Sequence, residues 1–296
     1  AYLTTWFVVR HHDRFWRVWR AAFLTSATVT GIAALTTTVT GGAEAGPLTG
    51  FGVADHPNVA GTLYGSAALL AGTAAARGGT SLFAATAAVT AACVATLCVV
   101  LSESRAAMLA LASGAVAATL IRPGLRRQAA GLAGLGGLLV LGAHAGGLID
   151  LQGMIAEGSN SRFALWADAI AHIRERPLLG HGMLTEIQFQ GTDGLYRSPH
   201  NVFLSTQVFA GTPGSVLLLT LIGVTLARAV ALARAGTVAP LALVVFGLVN
   251  GLFAFRTLVD GLDRTWLAFW LPVLLTHAEH EWARRRRHDQ EWVGHA

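Results

Sequence analysis

Apolar residues in this chain fall into repeated blocks of about 20, and this pattern constrains the fold more than any other feature of the sequence. Twenty helical residues, at a rise of about 1.5 Å each, cross about 30 Å of hydrocarbon. Of the 296 residues, 53% are hydrophobic and only 12% are charged. Both the blocks and the composition exclude a single soluble core and indicate a membrane protein.

The apolar blocks predict about eight transmembrane helices, preceded by a partial one at Tyr2–Val9. The spans are predicted at 21–40, 59–76, 80–101, 106–121, 129–149, 202–226, 240–257 and 265–276. We therefore expect an all-α fold, a polytopic transmembrane helical bundle. Because the chain starts with alanine and inside an apolar stretch, we expect it to be an N-terminally truncated member of its family.

The orientation follows from the 21 basic residues, all of which are arginines. They cluster at alternate connections, namely 10–20, 77, 122–127, 228–234 and 284–287. By the positive-inside rule these connections face the cytoplasm, so the long segment 150–200 faces outward, which in a bacterial inner membrane is the periplasm. The net charge of +5 is therefore read as a topology signal, and no nucleic-acid partner is expected.

Four regions are predicted on this basis: transmembrane helices over 1–149, a periplasmic loop over 150–200, further transmembrane helices over 201–281 and a basic cytoplasmic tail over 282–296. The loop contains an amphipathic pattern from Arg162 to Arg176, which Pro177 ends. Its predicted apolar face consists of Phe163, Trp166, Ile170 and Ile173. A helix that merely lies on the bilayer is the alternative interpretation. His181, between two glycines, is read first as part of a turn.

Four outer arginines run against the positive-inside bias: Arg105, Arg162, Arg197 and Arg256. An anionic ligand such as a phosphate would explain them, because guanidinium groups form forked, charge-assisted hydrogen bonds with phosphate oxygens. For Arg105, which follows Ser102-Glu103-Ser104, snorkelling to lipid phosphates or pairing with Glu103 is an equal alternative.

His200 and Asn201 follow Ser198-Pro199 at the mouth of a predicted span, where a histidine can accept a proton near neutral pH. Gly211 and Gly214 come next in the same span and would allow close backbone approach. A second pair, His277 and His280, lies at the cytoplasmic end with no third ligand nearby, so no metal site is expected there.

In their order along the chain, these pieces resemble the O-antigen ligase superfamily, bacterial polytopic glycosyltransferases that also include O-antigen polymerases and protein O-oligosaccharyltransferases. The pieces are His56-Pro57-Asn58, Ser104-Arg105 with Leu109, Arg162 with Trp166, Pro177–Gly182, and His200-Asn201 followed by Gly211 and Gly214. The histidine and glycine spacing is similar to the ligases in particular. The resemblance implies a fold similar to the GT-C glycosyltransferases.

The resemblance implies transfer of a glycan from undecaprenyl diphosphate to the sugar core of lipid A on the periplasmic face. Arg105 and Arg162 would bind the diphosphate, with Arg256 as a weaker third cation. His200 would be the base that activates the acceptor hydroxyl, with inversion at the sugar carbon, and Asn201 would bind substrate beside it. Metal and other cofactors are expected to be unnecessary, because arginines replace the cation.

Other functions stay open at this stage. A polymerase would use a second carrier-linked glycan as acceptor, and an oligosaccharyltransferase would use a protein hydroxyl. A transporter or flippase would also have many spans and glycine-rich packing. It should place its ionisable groups near the bilayer midplane, whereas here they gather at the outer ends, which favours an enzyme.

Overall fold

The computed structural model describes residues 12–41, 46–50, 56–76, 81–147, 149, 160–257 and 265–293. Helices dominate these residues. In chain order they are α1 (His12–Gly41), α2 (Pro57–Ala75), α3 (Leu82–Leu101), α4 (Arg105–Ile121), α5 (Arg126–Ala145), α6 (Asn160–Glu175), α7 (Val202–Arg234), α8 (Ala239–Phe253) and α9 (Leu271–Val293). A short 3₁₀ turn, Pro123–Leu125, precedes α5, and a π-helical turn, Trp266–Trp270, precedes α9.

Each of the predicted apolar blocks coincides with a helix, which confirms the helical, membrane-protein character of the chain. Among the described residues, three stretches are long and apolar enough, by length and composition, to cross a membrane: Trp19–Gly41, Leu82–Leu101 and Val202–Arg234. The apolar helices Arg105–Ile121 and Ala239–Phe253 are shorter. The count of eight spans therefore stays a prediction, and the partial span Tyr2–Val9 lies outside the described residues.

The all-α expectation needs one small correction. Strands β1 (Phe189–Gln190) and β2 (Leu195–Tyr196) form an antiparallel hairpin between α6 and α7, with Phe189 opposite Tyr196. The intervening Asp193 and Gly194 belong to the residue types that favour tight turns. Phe189 is buried, whereas Leu195 is exposed.

Small residues bring the helices of the bundle close together. A Cβ at Gly65 of α2 would meet the Phe246 ring of α8, and a Cβ at Gly114 of α4 would meet the backbone of Ala242. Helix α8 thus packs against both α2 and α4. In a membrane such close approach stabilises helix pairs by van der Waals contact, because lipid supplies no hydrophobic driving force between them.

A kink divides α7 at Gly211, where the backbone has φ 62° and ψ −160°. Pro213 has no N–H, so it cannot donate to the carbonyl oxygen of Phe209 four residues earlier. The N–H of Gly182, in the loop after α6, donates to that carbonyl instead, at 2.9 Å. The kink therefore joins α7 to the outer segment.

Two further backbone bonds complete this junction. The N–H of Thr212 donates to Leu178 at 3.0 Å, and the N–H of His181 donates to Val208 at 2.8 Å. A Cβ at Gly211 would collide with the carbonyl oxygen of Leu178. The expected close backbone approach at Gly211 is thus present, and its partner is the loop after α6.

Helix α6 forms as predicted, but only part of its expected apolar face is packed, since Trp166 and Ile173 lie against a buried cluster and the other two residues do not. Leu165 and Ala169 are fully buried, in a cluster that includes Phe209 of α7. Phe163 and Ile170, assigned to the apolar face, are exposed. The helix is therefore packed on protein along one side while these two apolar side chains point away from the packed face.

Candidate active site

The outer end of the bundle begins with a contact between two turns. The hydroxyl of Ser104, which precedes α4, donates to the side-chain oxygen of Asn58 at the start of α2, at 2.8 Å. Asn58 is itself fixed, because its N–H donates to Nδ1 of the capping residue His56, at 3.1 Å. Two separate motifs of the sequence, His56-Pro57-Asn58 and Ser104-Arg105, are thereby brought together.

Arg105 opens α4 directly after a tight reversal of the chain. Glu103 has a left-handed φ of 52°, and the N–H of Ser104 donates to the Ser102 hydroxyl at 3.4 Å. Ser102 and Ser104 are buried, whereas Arg105 is exposed. The turn thus fixes the backbone beneath Arg105 while its side chain stays accessible at the surface.

Arg162, in the first turns of α6, is half-buried and lies near Arg105. Its guanidinium carbon is 6.0 Å from the centre of the Phe253 ring. Burial lowers the pKa of the Arg162 guanidinium, and the nearby positive charge of Arg105 lowers it further. Two cations from distant parts of the sequence therefore face one region at the outer end of the bundle.

Trp166 connects α6 to the segment that carries His200. Its indole N–H donates to the carbonyl oxygen of Pro199 at 3.2 Å. The Trp166 ring also packs against Phe253 of α8, with ring centres 5.9 Å apart. One aromatic side chain therefore holds Arg162, one turn away on α6, near the entry to α7.

Two serine hydroxyls form hydrogen bonds between the segment after α8 and the region where α7 begins. Ser198 donates to the carbonyl oxygen of Arg256 at 3.2 Å, and Ser205 donates to the same oxygen. Ser198 also accepts the N–H of His200 at 3.1 Å. Ser198 therefore fixes the backbones of His200 and Arg256 relative to each other, and the Arg256 side chain is exposed.

His200 adopts a left-handed backbone conformation, with φ 51°, which is uncommon for a residue other than glycine. Its ring is half-buried and meets the Tyr196 ring edge to face, with centres 5.9 Å apart. Such local strain is maintained only where surrounding contacts support it and is found frequently at functional sites.

Asn201 is the N-cap of α7. Its side-chain oxygen accepts the N–H groups of Phe203 and Leu204, at 3.0 and 3.1 Å, and the residue is 6% exposed. Asn and Asp side chains at this position satisfy backbone donors that the helix leaves unpaired. The contact described for Asn201 is thus structural and holds the backbone directly after His200.

The structure brings together Arg105, Arg162, Arg256 and His200 at one end of the bundle. The sequence motifs include Asn58, Ser104 and Ser198 but did not predict that these residues hold the site, and Tyr196 and Ser205 were not identified. Polar residues at the ends of apolar blocks were a usable signal. The sequence does not show which of them contact one another, because contacts such as Ser104 with Asn58 and Ser205 with Arg256 join segments that are far apart in the chain.

An apolar cavity of about 320 Å³ adjoins this end of the bundle. It runs along α7 at the kink and is closed on one side by Trp270. Ser205 and Thr257 contribute its polar atoms near the outer end. The cavity is lined mostly by apolar side chains, so it suits a hydrocarbon chain rather than a sugar.

The pair His277 and His280, in α9, shows a different arrangement. Nδ1 of His277 is 2.7 Å from a guanidinium nitrogen of Arg228, and Nε2 is 3.1 Å from the hydroxyl of Thr225. Both ring nitrogens of His277 are thus engaged in the packing of α9 on α7. This arrangement leaves His277 a structural role.

Comparison with known proteins places these motifs in a family. A family model described as O-antigen ligase matches residues 89–219, which include Arg105, Arg162 and His200. An O-antigen ligase from Pseudomonas aeruginosa is 28% identical over 147 residues, which are 48% of this chain and 36% of that relative. No solved structure matches the chain. These two matches agree with the resemblance of the motifs, and over residues 89–219 the chain is similar to the O-antigen ligases.

Proposed function

We propose that the chain belongs to a membrane glycosyltransferase that transfers a glycan from undecaprenyl diphosphate to the sugar core of lipid A, the reaction of an O-antigen ligase. The matched segment spans about a third of the length of the Pseudomonas aeruginosa relative. The activity proposed is therefore that of the whole protein from which these residues come, with its site at the outer end of the bundle.

The single observation that supports this proposal most strongly is the approach of Arg105 and Arg162. Burial lowers the pKa of Arg162, and repulsion from the like charge of Arg105 lowers it further, so both effects disfavour the charged guanidinium. A bound diphosphate would favour the charged form of both arginines, since each guanidinium presents donors that match phosphate oxygens. The same cations would stabilise the negative charge that develops as the diphosphate leaves.

His200 is proposed as the general base. In a direct displacement, the acceptor hydroxyl oxygen attacks the anomeric carbon, and the bond from that carbon to the diphosphate oxygen breaks. The hydroxyl proton passes to His200, and the sugar carbon inverts. The hydrogen bond from the His200 N–H to Ser198 and the cap by Asn201 hold the backbone on either side of the imidazole.

Arg256 and Asn201 have supporting roles in the proposal. The backbone of Arg256 is held by Ser198, which also holds His200, so its exposed side chain is available as a third cation for the diphosphate or the glycan. We propose that Asn201 contributes to the substrate site by fixing the register of His200, in addition to capping α7. No divalent metal is required in this mechanism, because the arginines neutralise the leaving group.

The cavity beside the α7 kink is proposed to hold part of the polyprenyl chain of the carrier. Its apolar lining and its polar rim at Ser205 and Thr257 match a molecule with a hydrocarbon body and a charged head. Under this proposal the outer end of the bundle faces the periplasm of a bacterial inner membrane, and 150–200 is a periplasmic loop. The flanking regions 1–149 and 201–281 are membrane-embedded, and 282–296 is a cytoplasmic tail.

A transporter or flippase is the alternative from another class. The described candidates Arg105, Arg162, Arg256 and His200 lie at helix ends or outside helices, whereas a transporter site is expected at breaks near the midplane. Within the enzyme class, polymerase and protein O-oligosaccharyltransferase activities differ in the acceptor.

Expression of the full-length gene in a ligase-deficient strain separates these functions. A ligase attaches polymer to lipid A-core, an oligosaccharyltransferase attaches glycan to protein, and a polymerase lengthens the glycan on the carrier. Polymer on lipid A-core, lost in the Arg105→Ala variant, is the expected result. Carrier-linked glycan alone, with no transfer in any strain, would contradict the ligase proposal.

A further inference from the structure

Three side chains of the types that can bind metal ions lie close together at the end of α6, in the outer segment. They are His172, Glu175 and His181, and one ligand atom from each lies within 4.8 Å of the others. Nδ1 of His172 is 3.6 Å from a carboxylate oxygen of Glu175, and Nε2 of His181 is 3.9 Å from the same oxygen. None of these residues takes part in the proposed glycosyl transfer.

His172 supplies the second observation. Its Nδ1 atom is buried and has no hydrogen-bond partner among the described residues. A buried polar nitrogen without a partner is costly, and a bound cation would satisfy it. The other ring nitrogen, Nε2, is 3.7 Å from a carboxylate oxygen of Asp168. A histidine whose second nitrogen faces a carboxylate is the usual arrangement of a metal-ligating imidazole.

The fold explains why the third ligand lies there. His172 and Glu175 are three residues apart on α6 and share a helix face. His181 follows the helix and is brought back by left-handed turns at Gly180 and Gly182, with φ 67° and 97°. The bond from the His181 N–H to Val208 then fixes its backbone against α7. The ligand set is therefore assembled by the same loop that fills the α7 kink.

We propose that His172, Glu175 and His181 bind a Zn²⁺ ion. Two imidazoles and one carboxylate form a known zinc ligand set, with the fourth position open to water. Ligand atoms about 2.1 Å from a tetrahedral zinc are about 3.4 Å apart. The distances of 3.6 and 3.9 Å around Glu175 need a small contraction. The ligand nitrogens of His172 and His181, which lie within 4.8 Å of each other, must also approach to about 3.4 Å.

One hydrogen bond changes when zinc binds. Nε2 of His181 is 2.9 Å from the carbonyl oxygen of His172, and it must release its proton to bind the ion. That carbonyl still accepts the N–H of Arg176, at 3.4 Å, so it is not left unpaired. The ion would then join the end of α6 to the loop at the α7 kink.

Zinc titration of the purified full chain in detergent tests this site. The protein should be made without a polyhistidine tag, since a tag would bind the probe. With a competing chromophoric chelator as reporter, we expect one high-affinity Zn²⁺ per chain. His172→Ala and His181→Ala should abolish that binding, and Glu175→Gln should weaken it strongly. Asp168→Asn, which removes only the carboxylate behind His172, should weaken it by about 10- to 100-fold.

Glu186→Gln is the matched control for Glu175→Gln, because it removes a nearby exposed carboxylate that lies outside the ligand set. Its affinity should equal that of the unaltered chain. A structural readout is tryptic cleavage after Arg174, beside Glu175, which Zn²⁺ should slow in the unaltered protein but not in Glu175→Gln. Equal zinc binding by the unaltered chain, His172→Ala and His181→Ala would overturn the proposal, and so would no high-affinity binding at all. Neither readout involves glycosyl transfer, so the two proposals fail independently.

Discussion

The indole N–H of Trp166 donates a 3.2 Å hydrogen bond to the carbonyl oxygen of Pro199, and this bond joins the helix that presents Arg162 to the residue before His200. The segments that carry Arg162, a proposed cation for the leaving group, and His200, the candidate base, are thus joined by a direct hydrogen bond. The bond lies on the outer side of the packed bundle, so its loss should alter the site more than the fold.

Trp166→Phe tests this connection. The phenyl ring keeps most of the packing against Phe253, and the N–H is lost. A hydrogen bond of this kind contributes about 0.5–1.5 kcal/mol net, so we expect kcat/KM to fall about two- to tenfold with the melting temperature almost unchanged. Trp166→Ala, which also removes the ring, should lower both. Unchanged kcat/KM in Trp166→Phe would show that the bond does not position the site.

Gly211→Ala should destabilise the protein through the α7 kink. A Cβ there would collide with the Leu178 carbonyl, and φ 62° is unfavourable for alanine. We expect a loss of about 1–3 kcal/mol or more, seen as a lower melting temperature in detergent. Gly223→Ala is the control in the same helix, because nothing lies within 4 Å of its Cβ position. Similar melting temperatures for the two variants would contradict the described kink.

The membrane orientation is tested by cysteine labelling in intact cells. In a background with Cys93→Ser and Cys98→Ala, an impermeant maleimide should label Thr192→Cys, which is exposed in the outer segment. It should not label Gly124→Cys, which has open space around it beside the basic turn before α5. Labelling of Gly124→Cys from outside would reverse the orientation and remove the site from the periplasm.

Metal removal should leave glycosyl transfer intact. The diphosphate is neutralised by arginines in this account, so chelation should not change the initial rate of the folded enzyme. If zinc binds at His172, Glu175 and His181, chelation should lower the melting temperature without changing that rate. Turnover that is abolished by chelation and restored by magnesium or manganese would contradict the arginine mechanism.

Much of the architecture was predictable, because the hydrophobic blocks report directly on helices that bury their backbone polar groups in a membrane. Arg105 and Arg162 were identifiable for a related reason, since arginines on the outer side oppose the topology bias. Their proximity was not predictable, because it depends on α6 folding back over the bundle through Trp166 and Phe253.

What the sequence could not predict is which part of the protein each of these residues contacts. The spacing of Phe163 and Ile170 indicated an apolar face, but periodicity does not say whether protein or another environment covers it. Leu165 and Ala169 are buried against α7, with Trp166 and Ile173 packed beside them, whereas Phe163 and Ile170 are exposed. Close backbone approach at Gly211 was predictable, but its partner was not, since a sequence does not reveal which carbonyls Pro213 leaves free for another segment. The partners of His172 were missed for the same reason.

The central claim is that His200 removes the acceptor proton while Arg105 and Arg162 hold the diphosphate, and the most direct test is to measure donor binding and turnover together in the full-length protein. His200→Ala should bind carrier-linked donor nearly as well as the unaltered enzyme and lose about 10²- to 10⁴-fold in turnover, the usual contribution of a positioned base. Arg105→Ala and Arg162→Ala should weaken both, with only partial rescue by lysine, because an ammonium lacks the planar fork. A folded His200→Ala enzyme with unaltered turnover would contradict the account.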